Sequence, residues 1–202
     1  YRTPPGTGDR SGVIGLGTCP ISEAAWQQAD AVLTYAYEHG VNFLDLATAG
    51  AKTFPCVGAA LGSVRKELFY QIHFGANYET GEYGWTTDLD TVKRQVDWQL
   101  KQLKTDYIDF GMIHCLDEEK DWSAYQENGV LNYLPEMKNA GVVRHIGLSS
   151  HPPAPAQALP DAGVATQLTR SIHPDSPIQP AVFRRHTPAA RLPLHPACAA
   201  RG

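Results

Sequence analysis

Short apolar segments alternate with amphipathic helical segments along the first 150 residues of the chain. Strands are predicted over residues 13–17, 41–45, 68–73, 107–114 and 143–149. The predicted helices comprise one that Ser22 caps and Gly40 ends, and further helices over residues 56–61, 91–103 and 131–139. Apolar strands that are separated by helices pair in parallel and are covered on both faces. The pattern therefore predicts an α/β fold.

The polar residues favour a (β/α)8 barrel over an open doubly wound sheet. No GxGxxG follows the first strand, which weighs against a dinucleotide-binding open sheet. Four consecutive strands end in a polar residue, namely Asp45, His73, His114 and Ser149. One such residue is common, but in barrels the carboxyl ends of the strands carry the chemistry. Four residues in the same relative position therefore predict a shared site.

The composition changes near residue 151, where the strand–helix pattern stops. Residues 151–202 hold ten of the 15 prolines but only two of the 21 acidic residues and no lysine. A complete barrel takes ~250 residues. We therefore predict an incomplete barrel of about five to six strands over residues 1–151, with a weak sixth strand at 165–172. Residues 152–202 are predicted to be a poorly ordered tail. Translation of a GC-rich gene in a shifted reading frame is a second explanation for this composition.

Several stretches resemble the aldo-keto reductase superfamily in order and spacing across residues 12–151. They are IGLGT at 14–18, GVNFLD at 40–45, DLATAGAKTFPCVG at 45–58, LKTDYID at 103–109, which leads to His114, and GLS at 147–149. The resemblance implies a (β/α)8 barrel that binds NADP(H). It also implies hydride transfer to or from a small carbonyl compound or alcohol.

The resemblance implies a catalytic set of Asp, Tyr, Lys and His, in which the Tyr is the general acid and the His orients the carbonyl. Asp45 and His114 match the Asp and the His, whereas Gly50 stands at the Tyr position and His73 at the Lys position. A divergent branch of the superfamily that lacks the tyrosine has a strand end similar to IHFG at residues 72–75. We therefore predict Asp45, His73 and His114 as the catalytic residues. One of the two histidines would donate the proton, because imidazole titrates near neutrality.

The same resemblance implies which residues border the cofactor. Gly17 and Thr18 match positions near the cofactor, and Ser149 matches a serine that bonds the nicotinamide carboxamide. Ser150 stands where the family has an asparagine, and Gln167 corresponds to the family's glutamine near the nicotinamide. The family's contacts to the adenosine phosphate lie beyond strand six, so weak NADP(H) binding and an inactive fragment are expected.

Two other classes of function remain open. The first is a non-catalytic cofactor-binding or structural protein, which Gly50 and the incomplete barrel favour. The second is a metal-dependent barrel hydrolase, because the carboxylate of Asp45 and the imidazoles of His73 and His114 are a conceivable metal set on neighbouring strands. In the main interpretation these residues hold no metal.

The loops after the third and fourth strands give weaker signals. The first contains Tyr78, Tyr83 and Trp85, which wall the substrate pocket or only pack the loop down. Supply of the lost phenol by Tyr78 or Tyr83 is a further alternative, which nothing in the sequence favours. The acidic run at residues 117–121 predicts a solvated loop.

Charge and cysteine content limit the partners and the location. A net charge of -4 gives no basic surface for nucleic acid. No apolar run reaches the ~20 residues of a membrane span. The four cysteines form no CxxC pair, which is typical of reduced thiols in the cytoplasm. We therefore predict a cytoplasmic protein with a small carbonyl substrate, no nucleic-acid partner and no membrane partner. The open edges of the barrel predict self-association.

Overall fold

A parallel sheet of six strands organises the molecule. The computed structural model describes residues 8–114 and 116–149, together with the backbone of residues 167–169. The strands are β1 (Leu16–Gly17), β2 (Phe43–Asp45), β3 (Phe69–Phe74), β4 (Ala76–Asn77), β5 (Gly84–Trp85), β6 (Ile108–Ile113), β7 (Val143–Ser149) and β8 (Gln167–Thr169). The order in the sheet is β1-β2-β3-β6-β7-β8, with every pair parallel. Strands β4 and β5 form a separate antiparallel hairpin.

Five α-helices connect and cover these strands. They are α1 (Trp26–Glu38), α2 (Thr53–Leu61), α3 (Leu89–Leu103), α4 (Glu119–Glu127) and α5 (Val130–Asn139). Helix α3 buries Val92, Val96 and Leu103 at the predicted helical spacing. Gly40 has a φ of 84° and ends α1 as predicted. The predicted alternation of strands and helices is confirmed.

The sheet is buried on both faces in its centre and open at its sides. All six residues of β6 are buried, which explains the continuous apolar run in the sequence. Strands β1 and β8 each have a single neighbour, so the sheet formed by the described residues does not close. The prediction of five to six strands in an unclosed arrangement is therefore confirmed.

Two predicted boundaries at the start of the chain were wrong. Strand β1 covers only Leu16–Gly17, and Val13 and Ile14 are 66% and 72% exposed. As the outermost strand, β1 has only β2 beside it. Ser22 does not cap α1, because its hydroxyl donates to the carbonyl of Cys19 at 2.8 Å within a 3-10 turn.

The acidic run at residues 117–121 is a loop only at Asp117 and Glu118, because α4 begins at Glu119. One oxygen of Asp121 accepts the backbone N–H groups of Asp117 at 3.2 Å and Glu118 at 2.9 Å. Carboxylates are favourable at this end of a helix, where N–H groups lack intrahelical partners. The charge that predicted a solvated loop thus stabilises a helix start.

Some predictions concern residues outside the described part of the chain. The poorly ordered tail at 152–202 falls there, except for β8, which lies within the predicted sixth strand. Ser150 is also outside, and only the backbone of Gln167 is described. Within the described residues, no helix combines the length and apolarity that a bilayer span needs.

Candidate functional site

The predicted site residues lie along the edge formed by the carboxyl ends of the parallel strands. Gly17 ends β1 and pairs with Asp45, the last residue of β2. His73 is the penultimate residue of β3, and His114 directly follows β6. The position of each polar residue at a strand end, read from the sequence, therefore brings all three catalytic candidates to one place.

Asp45, His73 and His114 form a continuous chain of polar contacts. Nε2 of His73 lies 3.3 Å from Oδ1 of Asp45, and Nδ1 of His73 lies 2.7 Å from Nδ1 of His114. Both imidazoles are buried. A hydrogen bond between two ring nitrogens requires one of them to carry the proton. If His73 donates Nε2–H to the carboxylate, its Nδ1 is the acceptor, and Nδ1–H of His114 is the donor.

The chain continues from His114 to a phenol that the sequence did not favour. Nε2 of His114 lies 2.6 Å from the hydroxyl of Tyr83, just before β5. Tyr83 is 42% exposed, so the chain begins at a partly buried carboxylate and ends at the surface. The only signal in the sequence was the aromatic character of this loop, which did not specify a partner.

A buried tyrosine fixes the ends of the two histidine strands. The hydroxyl of Tyr125 in α4 lies 2.9 Å from the carbonyl oxygen of His114 and 3.2 Å from that of Phe74. Gly75 follows with a φ of 96°, a conformation that favours glycine. A Cβ at Gly75 would lie 2.0 Å from the hydroxyl of Tyr125, so glycine is required here for space as well. The hydroxyl thereby holds the strand ends at a fixed separation.

The loop between β4 and β5 covers Gly50, the position where the resemblance places a tyrosine. The backbone N–H of Tyr83 donates to the carbonyl of Ala49 at 2.9 Å, and that of Ala51 donates to Gly81 at 2.8 Å. A Cβ at Gly50 would lie 3.3 Å from the carbonyl oxygen of Gly81. The backbone of this loop thus occupies space near the position of the missing side chain.

The described candidates for cofactor contact differ in how their side chains are used. A Cβ at Gly17 would meet no atom within 4 Å, which leaves an unobstructed surface beside Asp45 that suits a flat nicotinamide ring. Thr18 is fully buried, and its hydroxyl donates to the carbonyl of Asp45 at 2.8 Å, so it fixes the end of β2. Ser149 is buried at the end of β7.

The arrangement does not favour the metal hydrolase alternative. In residues 8–114 and 116–149, no three His, Cys, Asp or Glu side chains converge as a metal-ligand group. His73 and His114 direct their Nδ1 atoms at each other. Their Nε2 atoms face Asp45 and Tyr83, respectively. The ring nitrogens are therefore engaged within the chain of contacts and do not point to a common ion.

The pKa of Asp45 lies below its usual value. Burial raises this pKa, but the hydrogen bond and electrostatic interaction with His73, together with the other donors around the carboxylate, outweigh that effect. The backbone N–H of Ala47, 3.0 Å from Oδ1, and the amide of Gln71 lower it further. Asp45 is therefore a carboxylate at neutral pH and can hold a proton on Nε2 of His73.

Replacing Asp45 with Asn should destabilise the protein more at pH 7 than at pH 3. A carboxyl whose pKa is lower in the folded state contributes stability above its unfolded pKa of about 4. This contribution disappears as the pH falls through the folded pKa. Because Asp45 is one-third exposed, we expect a difference of ~1 kcal/mol or less at pH 7.

Urea denaturation at pH 3, 5 and 7 would measure this difference. Asp106→Asn, at an exposed position between α3 and β6, controls for the loss of one negative charge. A destabilisation of Asp45→Asn that is independent of pH would contradict the carboxylate–histidine assignment.

Comparison with known proteins relates the chain to one family. A model of the aldo/keto reductase family matches residues 13–174. The chain is 30% identical over 143 residues to the uncharacterized oxidoreductase YqkF of Bacillus subtilis, covering 68% of the chain and 44% of that protein. It is 34% identical over 137 residues to the aldo-keto reductase yakc of Schizosaccharomyces pombe, whose name specifies NADP(+), covering 64% and 38%. The chain thus spans less than half the length of these relatives.

Solved structures with the same fold support the barrel architecture. The aldo-keto reductase AKR11C1 from Bacillus halodurans, in its holo form, superposes with a TM-score of 0.71 at 22% identity, covering 85% of this chain and 57% of that one. An aldo/keto reductase from Klebsiella pneumoniae in complex with NADP and acetate gives a TM-score of 0.59 at 22% identity, covering 78% and 53%. The predicted (β/α)8 barrel class is confirmed, with the sheet of the described residues unclosed.

Proposed function

Because the chain belongs to the aldo/keto reductase family, we propose that it is an NADP(H)-dependent oxidoreductase acting on a small carbonyl compound or alcohol. The observation that carries this proposal is the chain of contacts from Asp45 through His73 to His114. It lies at the carboxyl edge of the sheet, beside the open surface at Gly17. The mention of NADP in the names of the yeast relative and the Klebsiella structure supports the choice of cofactor.

The side chains can hold and supply a proton while the bound cofactor supplies or accepts the hydride. Asp45 keeps a proton on Nε2 of His73, which makes Nδ1 of His73 an acceptor. That acceptor holds Nδ1–H of His114 and so fixes the orientation of the second ring. Nε2 of His114 is then directed at the hydroxyl of Tyr83 at the outer end of the chain, where reduction of a carbonyl requires a proton. The buried environment strengthens each of these hydrogen bonds.

A non-catalytic cofactor-binding protein is the second candidate. It is favoured by the glycine at position 50, over which the β4–β5 loop lies. This candidate predicts binding of NADPH without turnover. Fluorescence titration with NADPH, together with an assay of turnover, therefore separates the two functions. The cytoplasmic location and the self-association of the chain stay predictions.

Oxidation of NADPH with a panel of aldehydes and quinones tests the proposed activity. Although the sequence alone led us to expect an inactive fragment, we expect measurable turnover by the 202-residue chain, because the contacts from Asp45 to His114 are in place. We expect kcat to fall by about 10²–10³-fold in His114→Gln, because the variant lacks the imidazole that supplies a proton at the outer end of the chain. His39→Gln is the matched control, since His39 lies exposed at the end of α1 and contacts the carbonyl of Tyr35. Equal rates for the two variants would exclude a catalytic His114.

A further inference from the structure

We infer that Tyr83 is the proton donor to the substrate oxygen, reaching the site from the β4–β5 loop instead of from position 50. The inference rests on the proposed oxidoreductase function and names the group that completes it. Its basis is the hydrogen bond of 2.6 Å between the hydroxyl of Tyr83 and Nε2 of His114. A phenol thus lies at the end of the Asp45–His73–His114 chain.

Accessibility distinguishes Tyr83 from the two histidines. His73 and His114 are 5% and 8% exposed, and their ring nitrogens face Asp45, the side-chain amide of Gln71, each other and Tyr83. A substrate oxygen cannot approach His114 Nε2 along the direction that the phenol occupies. The residue Tyr83 is 42% exposed, far more than either histidine, so we assign contact with the substrate to its hydroxyl. The final proton transfer therefore falls to the phenol.

The backbone holds Tyr83 beside the position of the absent tyrosine. Its N–H donates to the carbonyl of Ala49, and Gly50 and Glu82 form an isolated antiparallel bridge. The ring of Tyr83 also contacts the ring of Tyr78, with centroids 6.2 Å apart. Main-chain hydrogen bonds and ring packing thus hold the phenol of Tyr83 in place.

The protons balance when His114 begins as imidazolium. In that state Nε2–H donates to the hydroxyl oxygen of Tyr83, and Nδ1–H donates to His73, while the carboxylate of Asp45 balances the charge. During reduction the carbonyl carbon gains a hydride, and its oxygen takes the phenolic proton of Tyr83. The phenol then regains a proton from Nε2 of His114, which becomes neutral imidazole. Solvent restores the proton on His114, and the same transfers in reverse serve alcohol oxidation.

His73 and Asp45 act on this transfer as positioning residues. Neither reaches the exposed end of the chain, but together they decide which nitrogen of His114 carries a proton. The carboxylate of Asp45 stabilises the positive charge that the chain holds before transfer. The imidazolium of His114 would thus supply the positive charge that the lysine provides in the catalytic set implied by the resemblance.

Tyr83→Phe tests the inference by kinetics. Removal of a general acid is expected to lower kcat by about 10²–10⁴-fold. We expect KM to change by less than about threefold, since the ring remains in place and only the donor is lost. Site-specific incorporation of 3,5-difluorotyrosine at position 83 should restore turnover. It should also move the alkaline limb of the kcat–pH profile to lower pH, a shift that a purely structural role would not produce.

A second readout needs neither cofactor nor turnover. Nitrogen-15 NMR of the imidazoles in the free protein should show a change at Nε2 of His114 in Tyr83→Phe, because that atom loses its hydrogen bond. Tyr37→Phe is the matched control. It removes a phenol of α1 that lies outside the site and donates to Oε2 of Glu67 at 2.8 Å. The control should keep the wild-type His114 signals and kcat.

The outcomes separate the two proposals. A large loss of kcat in Tyr83→Phe, with a changed His114 spectrum, supports the donor role. Wild-type turnover that persists in Tyr83→Phe overturns the donor role and leaves the proposed function standing. Absence of turnover with every carbonyl in the wild-type protein overturns the proposed function and the donor role together.

Discussion

Replacing Asp109 with Asn should lower the free energy of unfolding by about 3–5 kcal/mol, because it leaves a buried guanidinium without its counter-ion. Asp109 is completely buried in β6, where one oxygen accepts Arg65 Nη2 at 2.7 Å and the N–H of Tyr70 at 2.9 Å. Arg65 is 6% exposed. Asn has nearly the same shape as Asp, so the loss would report charge and hydrogen bonding and not a cavity.

Protein groups enclose the guanidinium of Arg65 and keep it from contact with water. Its guanidinium lies 4.2 Å from the ring centroid of Tyr70 and 4.1 Å from that of Tyr107. Further N–H groups donate to the carbonyls of Leu68 and Tyr107. This cluster lies at the amino ends of the strands, where residues of a barrel serve stability and not chemistry. The substitution should therefore affect unfolding far more than it affects the site.

Arg144→Gln provides the matched control on the same carboxylate. Arg144 contacts the other oxygen of Asp109 at 3.0 Å, but its side chain is 47% exposed. Loss of a partly exposed ion pair typically costs ~1 kcal/mol or less. Urea denaturation of both variants, with an unchanged slope, would measure the difference. Equal destabilisation by the two substitutions would show that burial of Arg65 does not govern the cost.

Gly58→Ala should destabilise the protein by about 3 kcal/mol or more, although alanine is the better helix former by ~1 kcal/mol. Gly58 lies in α2 where this helix packs against α3. A Cβ there would lie 2.0 Å from the carbonyl oxygen of Gln102 and 3.1 Å from the carbonyl carbon of Leu103. Both atoms belong to the backbone of the last turn of α3. The two helices would therefore have to move apart to relieve the overlap.

Gly62→Ala tests the same substitution without the overlap. Gly62 follows α2 with φ and ψ of −59° and −33°, which alanine adopts readily. Its Cβ would lie 3.6 Å from Cδ of Lys104, an ordinary contact with a flexible side chain. We expect the melting temperature to stay the same or rise for Gly62→Ala and to fall by several degrees for Gly58→Ala. A rise for both variants would contradict the close approach of α2 and α3.

The sequence best predicted the strands and helices whose apolar residues are buried at regular spacing. Strand β7 runs from Val143 to Ser149 as predicted, and α3 follows the spacing of its apolar residues. The true N-cap of α3 is Asp88, whose side chain accepts the N–H of Thr91 at 2.9 Å. The predicted start at residue 91 missed this, because apolar periodicity does not define the cap.

The candidate site was predictable only in part, because one of its contacts joins residues that are far apart in the sequence. Asp45, His73 and His114 end parallel strands, so topology alone brings them to one edge. The contact between Tyr83 and His114 joins residues 31 positions apart through a loop that crosses Gly50. Nothing in the periodicity of the sequence specifies that crossing. The burial of Asp109 had one visible signal, an acidic residue within an apolar strand segment.

The packing over Gly50 has a consequence for the history of the protein. The Cβ of a tyrosine at position 50 would lie 3.3 Å from the carbonyl oxygen of Gly81, which would have to shift slightly, and 3.4 Å from Cβ of Ser22, an ordinary contact. The carbonyl of Gly81 belongs to the loop that carries Tyr83 to His114. A tyrosine restored at position 50 would therefore press on that loop, and under the proposed donor role of Tyr83 it would perturb the present phenol. Exchange of one tyrosine for the other during evolution would then have required changes in both segments.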